Sequence, residues 1–251
     1  MCTLSWTAVG TGYELLFNRD ERRTRAPEIA PRAERLESVT FLAPRDSEAG
    51  GTWIVLNDAG LTTCLLNGYF ASRGDSSVPR ESRGQLVLAL ADARDLGDVH
   101  EHLSARDLTP FEPFVLCSFE PSAAHGWRGS CAEWDGLELG WRTLGRDDAP
   151  ICSSGYDADL ARRERRAEWQ RLAQGAVMTP DQLGTFHRSH LDGKGPASPC
   201  MHREDAETRS LIRIAVDDAH VRMSYAPGPP CCTELGAPLE LARRSSPAPL
   251  P

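Results

Sequence analysis

The chain has 251 residues, with 28 Lys and Arg against 36 Asp and Glu, a formal charge of −8 and a pI near 5.4. An acidic balance of this kind argues against a nucleic-acid partner, because phosphate binding needs a face rich in Lys and Arg. No apolar run approaches the ~18 residues of a membrane-spanning helix. The opening stretch from Cys2 to Phe17 is interrupted by Ser5, Thr7, Gly10, Thr11, Gly12 and Glu14, where a signal peptide would be continuously apolar. The expectation is a cytoplasmic protein with no membrane span.

In chain order, Met1–Val9 reads as a strand, Gly10-Thr11-Gly12 as a turn and Tyr13–Asn18 as the return strand, a hairpin. An Arg- and Pro-rich loop is expected to about Leu36, then a short strand over Ser38–Leu42. Gly51–Asn57 and Leu61–Asn67 form a second hairpin around Asp58-Ala59-Gly60. Apolar residues at 86, 87, 90 and 91 predict a helix over Ser82–Arg94, followed by a second over Asp95–Arg106. Phe111–Glu120, Ala124–Trp134 and Leu137–Leu144 read as three strands. Asp157–Gln174 and Thr179–His190 read as helices, and Thr208–Val216 with His220–Tyr225 as a last hairpin. Hairpin-linked strands with helices in pairs imply an α+β fold with antiparallel sheets rather than βαβ units. Residues 1–242 are expected to form a single domain, with 243–251 as a disordered tail.

The eight cysteines are widely scattered, which fits small buried hydrophobes better than a disulfide framework. Cys2 differs from the rest by its position. Removal of Met1 would leave a cysteine carrying both a thiol and a free α-amine. Such an amine has an unperturbed pKa near 7.7–8.0 and can serve as base for its own side chain. The hairpin returns Asn18, Arg19 and Asp20 to the side of Cys2. An arginine there favours thiolate, and a carboxylate there can orient the amine through charge-assisted hydrogen bonds.

Several blocks together resemble one family. They are MCTLSW at 1–6, NRDE at 18–21, GGTW at 50–53, LLNGY at 65–69 and SRGQLV at 82–87, with CMHRED at 200–205 and YAPGPPC at 225–231. The chain is similar to the NRDE family, which includes the transport and Golgi organisation protein 2 group. That resemblance implies a four-layer αββα sandwich of the N-terminal nucleophile hydrolase type, like the cysteine enzymes that cleave linear amides, such as penicillin V acylases and bile salt hydrolases. It implies Cys2, Arg19 and Asp20 as catalytic, with Asn67 as the oxyanion donor and Arg203 (with Arg209 as a second choice) as a late arginine. Asn18, Trp53, Tyr69 and Ser154 are the expected substrate-binding residues. The resemblance also implies an asparagine near ICSSG at 151–155; none is present, and Ser153 or Ser154 stands in its place. The implied partner is a small-molecule amide, with no cofactor required. The same family also implies a rival: a non-catalytic protein handling haem or lipid, with haem as its ligand.

Other patterns carry less. Cys200, His202, Cys231 and Cys232 lack the C-x₂₋₄-C spacing of zinc sites, so no metal is expected. His187 and His190 are expected on a solvated helix face. Arg162, Arg163, Arg165 and Arg166 interleave with acids and are expected on an exposed, salt-bridged face. Gly50-Gly51 lacks a following GK[ST], so it is no phosphate loop. Gly51 and Trp53 are expected in a pocket wall or core.

Overall fold

A computed structural model describes residues 2–69, 79–191 and 193–244. Among them, one antiparallel sheet contains β1 (Cys2–Val9), β2 (Gly12–Arg22), β10 (Ile151–Ser153), β11 (Ala206–Val216), β12 (His220–Ala226) and β13 (Leu239–Ala242), in the order β10-β1-β2-β11-β12-β13. The second contains β3 (Ile29–Leu36), β4 (Val39–Arg45), β5 (Ile54–Asn57), β6 (Thr62–Asn67), β7 (Phe114–Ser122), β8 (Gly126–Trp134) and β9 (Leu139–Thr143), paired in chain order. Helices α1 (Gly84–Ala89) and α2 (Leu96–Ser104) pack on the second sheet. Helices α3 (Ala158–Ala173) and α4 (Pro180–Arg188) pack on the first. The result is the αββα sandwich.

Strand alternation explains the layers. On β1, Leu4 and Trp6 point to the other sheet and pack with Leu15, Phe17, Leu56 and Phe119 in the central core. The intervening Thr3, Ser5 and Thr7 point to the α3–α4 layer, where Thr7 donates to the Met178 carbonyl at 2.6 Å. The helices start at defined caps. Asp157 accepts from Leu160 N–H at the head of α3, and Thr179 and Gln182 form a capping box on α4 with Pro180 at the first turn.

Three strands were not expected. β3 lies in the anticipated loop because its apolar residues, Ile29, Ala30, Ala33 and Leu36, follow no alternation, Pro31 interrupts it, and none of it is buried. It is an edge strand with a register shift between Ile29 and Arg32, held by backbone pairing and by Arg45 on Glu34. β10 and β13 are short strands on the two edges of the first sheet. The first expected helix is shorter than read, ending at Ala89. The expected tail also begins too early: Arg243 N–H donates to Ala219 O and Arg244 N–H to Asp58 O, at 2.7 Å each. Residues 245–251 lie outside the described residues.

Candidate active site

The β1–β2 register places Cys2 directly opposite Arg19 and Thr3 opposite Asn18. On its other side Cys2 pairs with Ser153 of β10. Cys2 and Arg19 therefore share the face toward the second sheet, while Asn18 and Asp20 share the face toward α3 and α4. The Cys2 N–H donates to Ser153 Oγ at 3.1 Å, and its sulfur accepts from the Asp20 backbone N–H. Burial pushes the Cys2 thiol up and the Asp20 carboxylate adds to that rise, whereas the N-terminal charge, the Asp20 N–H and Arg19 pull it down.

Arg19 is heavily engaged elsewhere. Its guanidinium donates to Glu28 at 3.1 Å and Asp46 at 2.9 Å and lies 4.5 Å from the centre of the Trp53 ring. Two nearby anions already neutralise much of its charge, so its pull on the thiol is smaller than that of the N-terminus.

Asp20 is a buried carboxylate. It accepts from Thr208 Oγ1 at 2.6 Å and from Arg165 Nη2 at 3.4 Å, with both side chains of the ion pair fully buried. Burial holds its pKa above the usual carboxylate range, opposed first by Arg165 and then by the N-terminal charge. Arg165 also donates to Thr3 Oγ1, and its Nε to Ala197 O at 3.1 Å. The expectation of an exposed Arg162–Arg166 face thus fails at Arg165, and Arg166 instead donates to the Asp147 carbonyl at 3.0 Å. A signal for Arg165 existed. It falls four residues from both Ala161 and Trp169, on the buried stripe of α3 that continues to Ala173.

The mouth beside Cys2 opens into a cleft of about 480 Å³ whose wall includes Arg19, Trp53, Asn67, Tyr69 and Arg83. Asn67 ends β6, and its Nδ2 donates to the Tyr69 hydroxyl at 3.2 Å. Gly51 and Gly84 form another part of the wall. A Cβ on Gly51 would lie 2.7 Å from the Gly84 carbonyl carbon, and one on Gly84 would lie 2.9 Å from Thr52 N. The GGTW and SRGQ blocks therefore need glycine at both positions, since their backbones touch. Arg83 was missed by sequence reading. It is half-buried, donates to Pro113 O at 2.8 Å and lines the same cleft as Cys2.

Other expected site residues stand elsewhere. Asn18 does not line the cleft: it is fully buried, and its Nδ2 clamps the carbonyls of His187 at 2.9 Å and Pro199 at 2.8 Å. The serine at Cys2 is Ser153, while Ser154 Oγ accepts from Tyr156 N–H at 3.2 Å. Arg203 is not among the residues lining the cleft at Cys2. It pairs with Asp205, stacks 5.0 Å from the Tyr156 ring centre and lines a smaller adjoining cleft with Asp20 and Tyr69. Arg209 pairs with Glu207, next to a register shift between Thr208 and Ser210 beside Arg19. His187 is not solvated. It is fully buried, with Nε2 2.8 Å from Ser5 Oγ, and burial holds it down to about 3. α4 ends at Arg188, so His190 lies beyond the helix.

The protein-family model described as "Transport and Golgi organisation 2" matches residues 1–130. The chain belongs to that family. No curated protein matches it in sequence. Solved structures of the same fold include penicillin V acylase from Agrobacterium tumefaciens, with a TM-score of 0.53, 12% identity, and 91% of this chain and 84% of that chain covered. A mutant of conjugated bile acid hydrolase from Clostridium perfringens gives a TM-score of 0.51 and 10% identity over 90% of this chain and 88% of that one. A variant of the same hydrolase gives 0.50 and 12%, over 90% and 89%. The family member described here thus has the N-terminal nucleophile hydrolase fold. No described helix is long and apolar enough to cross a membrane.

Proposed function

We propose that this family member is a cysteine N-terminal nucleophile amidohydrolase, or an acyltransferase of the same mechanism, acting on a linear amide of a small molecule. The observation that carries this reading is Cys2 itself. It stands at the end of β1 at the mouth of a cleft, with the Asp20 N–H on its sulfur and Ser153 on its nitrogen. With Met1 removed, the freed α-amine takes the thiol proton and sulfur attacks the amide carbonyl. Asp20, charge-compensated by Arg165, holds the ammonium form that results. The Asn67 amide is the side-chain donor for the developing oxyanion. One such donor is worth about 2.7–4 kcal/mol in enzymes where it has been removed. Collapse expels the amine product with the proton held by the α-amine and leaves a thioester. Water, or an acceptor amine in the transferase case, then releases the acyl group and restores the thiol. Arg19 and Trp53 act together as a rigid wall of the cleft, and Arg83 adds positive potential near the sulfur. Eight unpaired cysteines support a reducing, cytoplasmic location.

The test is hydrolysis of a panel of acyl amides by protein whose N-terminus has been read by mass spectrometry. Wild type beginning at Cys2 turns over at least one substrate class, and Cys2→Ala turns over none. Equal turnover by Cys2→Ala, or by protein retaining Met1, sinks the mechanism.

One observation favours the non-catalytic reading, in which the protein holds haem or a lipid. A cavity of about 930 Å³, larger than the cleft at Cys2, lies farther along β1, walled by Trp6, Trp127, Trp169, Leu144 and Met178, with His125 as its imidazole among the described residues. Aromatic walls of this kind suit a flat apolar ligand. Under that reading, haem titration gives a saturable Soret change that Trp127→Ala weakens, and Cys2→Ala leaves it untouched.

A further inference from the structure

The fold brings together four residues that sequence spacing kept apart. His190 follows α4, Cys200 and His202 lie in the loop before β11, and Cys231 follows β12. One ligand atom from each lies within 4.8 Å of all the others. His190 Nε2 and His202 Nε2 are 3.2 Å apart, and Cys200 Sγ and Cys231 Sγ are each 3.5 Å from His202 Nε2. Zinc bonds of about 2.0–2.1 Å to nitrogen and 2.3 Å to sulfur, at tetrahedral angles, place two nitrogens about 3.3 Å apart and a nitrogen and sulfur about 3.5 Å apart. The three separations at His202 Nε2 match edges of that tetrahedron, and the other ligand atoms lie within 4.8 Å of one another. Hydrogen bonding alone explains them poorly, because three donors or acceptors converge on the single His202 Nε2, which has one site to offer.

We propose that His190, Cys200, His202 and Cys231 form a structural zinc(II) site that ties the 190–202 loop to the end of β12. Two thiolates and two neutral imidazoles make a closed, neutral Cys₂His₂ set, the donor chemistry and geometry that select zinc. Binding breaks two S–H bonds, forms two Zn–S and two Zn–N bonds, and releases two protons to solvent, with no change of oxidation state. Cys232 is excluded: it is exposed, with its sulfur 3.5 Å from Pro229 O.

The site has a consequence for the neighbouring polar network. The same loop supplies Pro199 O to Asn18, Ala197 O to Arg165 and Met201 N–H to Thr208 Oγ1, which in turn donates to Asp20. Its own backbone is tied by Cys200 N–H to Ser189 O and by Ser198 Oγ to His190 O. Zinc fixes this loop, and the loop fixes the partners of Asp20. The metal site itself does not depend on the amidase reading.

The experiment is metal analysis of the full chain, purified under reducing conditions with zinc in the medium, alongside cobalt(II) loading of the apoprotein. The expected result is close to one zinc per chain, and intense tetrahedral d–d bands with thiolate-to-cobalt charge transfer. The Cys200→Ser/His202→Ala double variant should hold less than a tenth as much metal, while Cys232→Ser holds as much as wild type. Wild-type protein without zinc and without tetrahedral cobalt bands overturns the proposal, whether or not the double variant folds. Undiminished metal in a folded double variant, or its loss in Cys232→Ser, overturns the ligand assignment.

Discussion

The two helix layers cover the two sheets in different ways. Beneath α1 and α2 the interface is a plain apolar core: Leu86, Val87, Val99 and Leu103 pack on Phe41, Val55, Leu65, Phe114 and Leu116. Beneath α3 and α4 an apolar patch around Trp169, Leu183 and Phe186 is joined by a buried polar network. There Thr3, Ser5, Thr7, Asn18, Asp20 and Thr208 meet Arg165, His187 and loop carbonyls. Desolvating such groups costs more than desolvating aliphatic ones unless every partner is present. The polar layer therefore adds little to stability and much to placement, because each hydrogen bond sets the position of the β1–β2 end that carries Cys2. The apolar layer is tolerant of position and contributes most of the stability on its side.

Variants can break or sharpen that contrast. The largest effect is expected from Arg165→Met, which strands the Asp20 carboxylate in the polar layer and should cost about 3–5 kcal/mol by denaturant titration. Its cost should also depend on pH. Burial raises Asp20 in the folded state, so the folded chain binds more protons than the unfolded one, and stability falls as pH rises through the folded pKa. Arg165 is the main charge opposing that rise, so Arg165→Met should lose stability more steeply than wild type on going from acid to neutral pH. A cost that does not change with pH would show that Asp20 is not the stranded group.

In the apolar layer, Leu116→Ala should cost about 2–5 kcal/mol by leaving a cavity. That cost should be flat with pH, with the reactivity of Cys2 toward a thiol probe unchanged. Altered Cys2 reactivity would mean that the two layers are not separable.

Smaller again is Ser5→Ala, which leaves His187 Nε2 without its partner in a site where Nδ1 has none among the described residues, at about 1–3 kcal/mol. His187 also gives the polar layer its acid sensitivity. Burial, and then Arg165, hold it down to about 3 against an ordinary 6.5. The unfolded chain thus takes up a proton that the folded chain refuses, and stability is lost as pH falls through that window. His187→Gln should flatten the loss, and an unchanged acid slope would assign it elsewhere. The smallest effect is Thr179→Ala at the head of α4, about 1 kcal/mol by thermal unfolding, with no pH dependence.

Part of this could be read from the sequence. The β1–β2 hairpin is local, and its turn sets the register, so Cys2 beside Arg19 follows from counting residues across Gly10–Gly12. The second hairpin places Asn67 at a strand end, and Gly51 in the GGTW block marks a wall of the cleft. The family blocks in the first 90 residues carried the layer architecture. The exposed edge strand β3 escaped because its stability comes from backbone pairing, which leaves no hydrophobic alternation to read.

What the tertiary structure alone decided are the partners from the second half of the chain. Ser153, not Ser154, meets the Cys2 nitrogen. Arg165 compensates Asp20, and Arg203 pairs with Asp205. Asn18 clamps a loop instead of facing a substrate. His190, Cys200, His202 and Cys231 meet around one point. Each of these contacts joins residues that no turn or helix period relates. A buried arginine also has the same local pattern as its exposed neighbours until the face it shares with Ala161 and Trp169 is packed. Local geometry determined where Cys2 stands, and the packing of α3, α4 and the 190–202 loop against the first sheet determined what surrounds it.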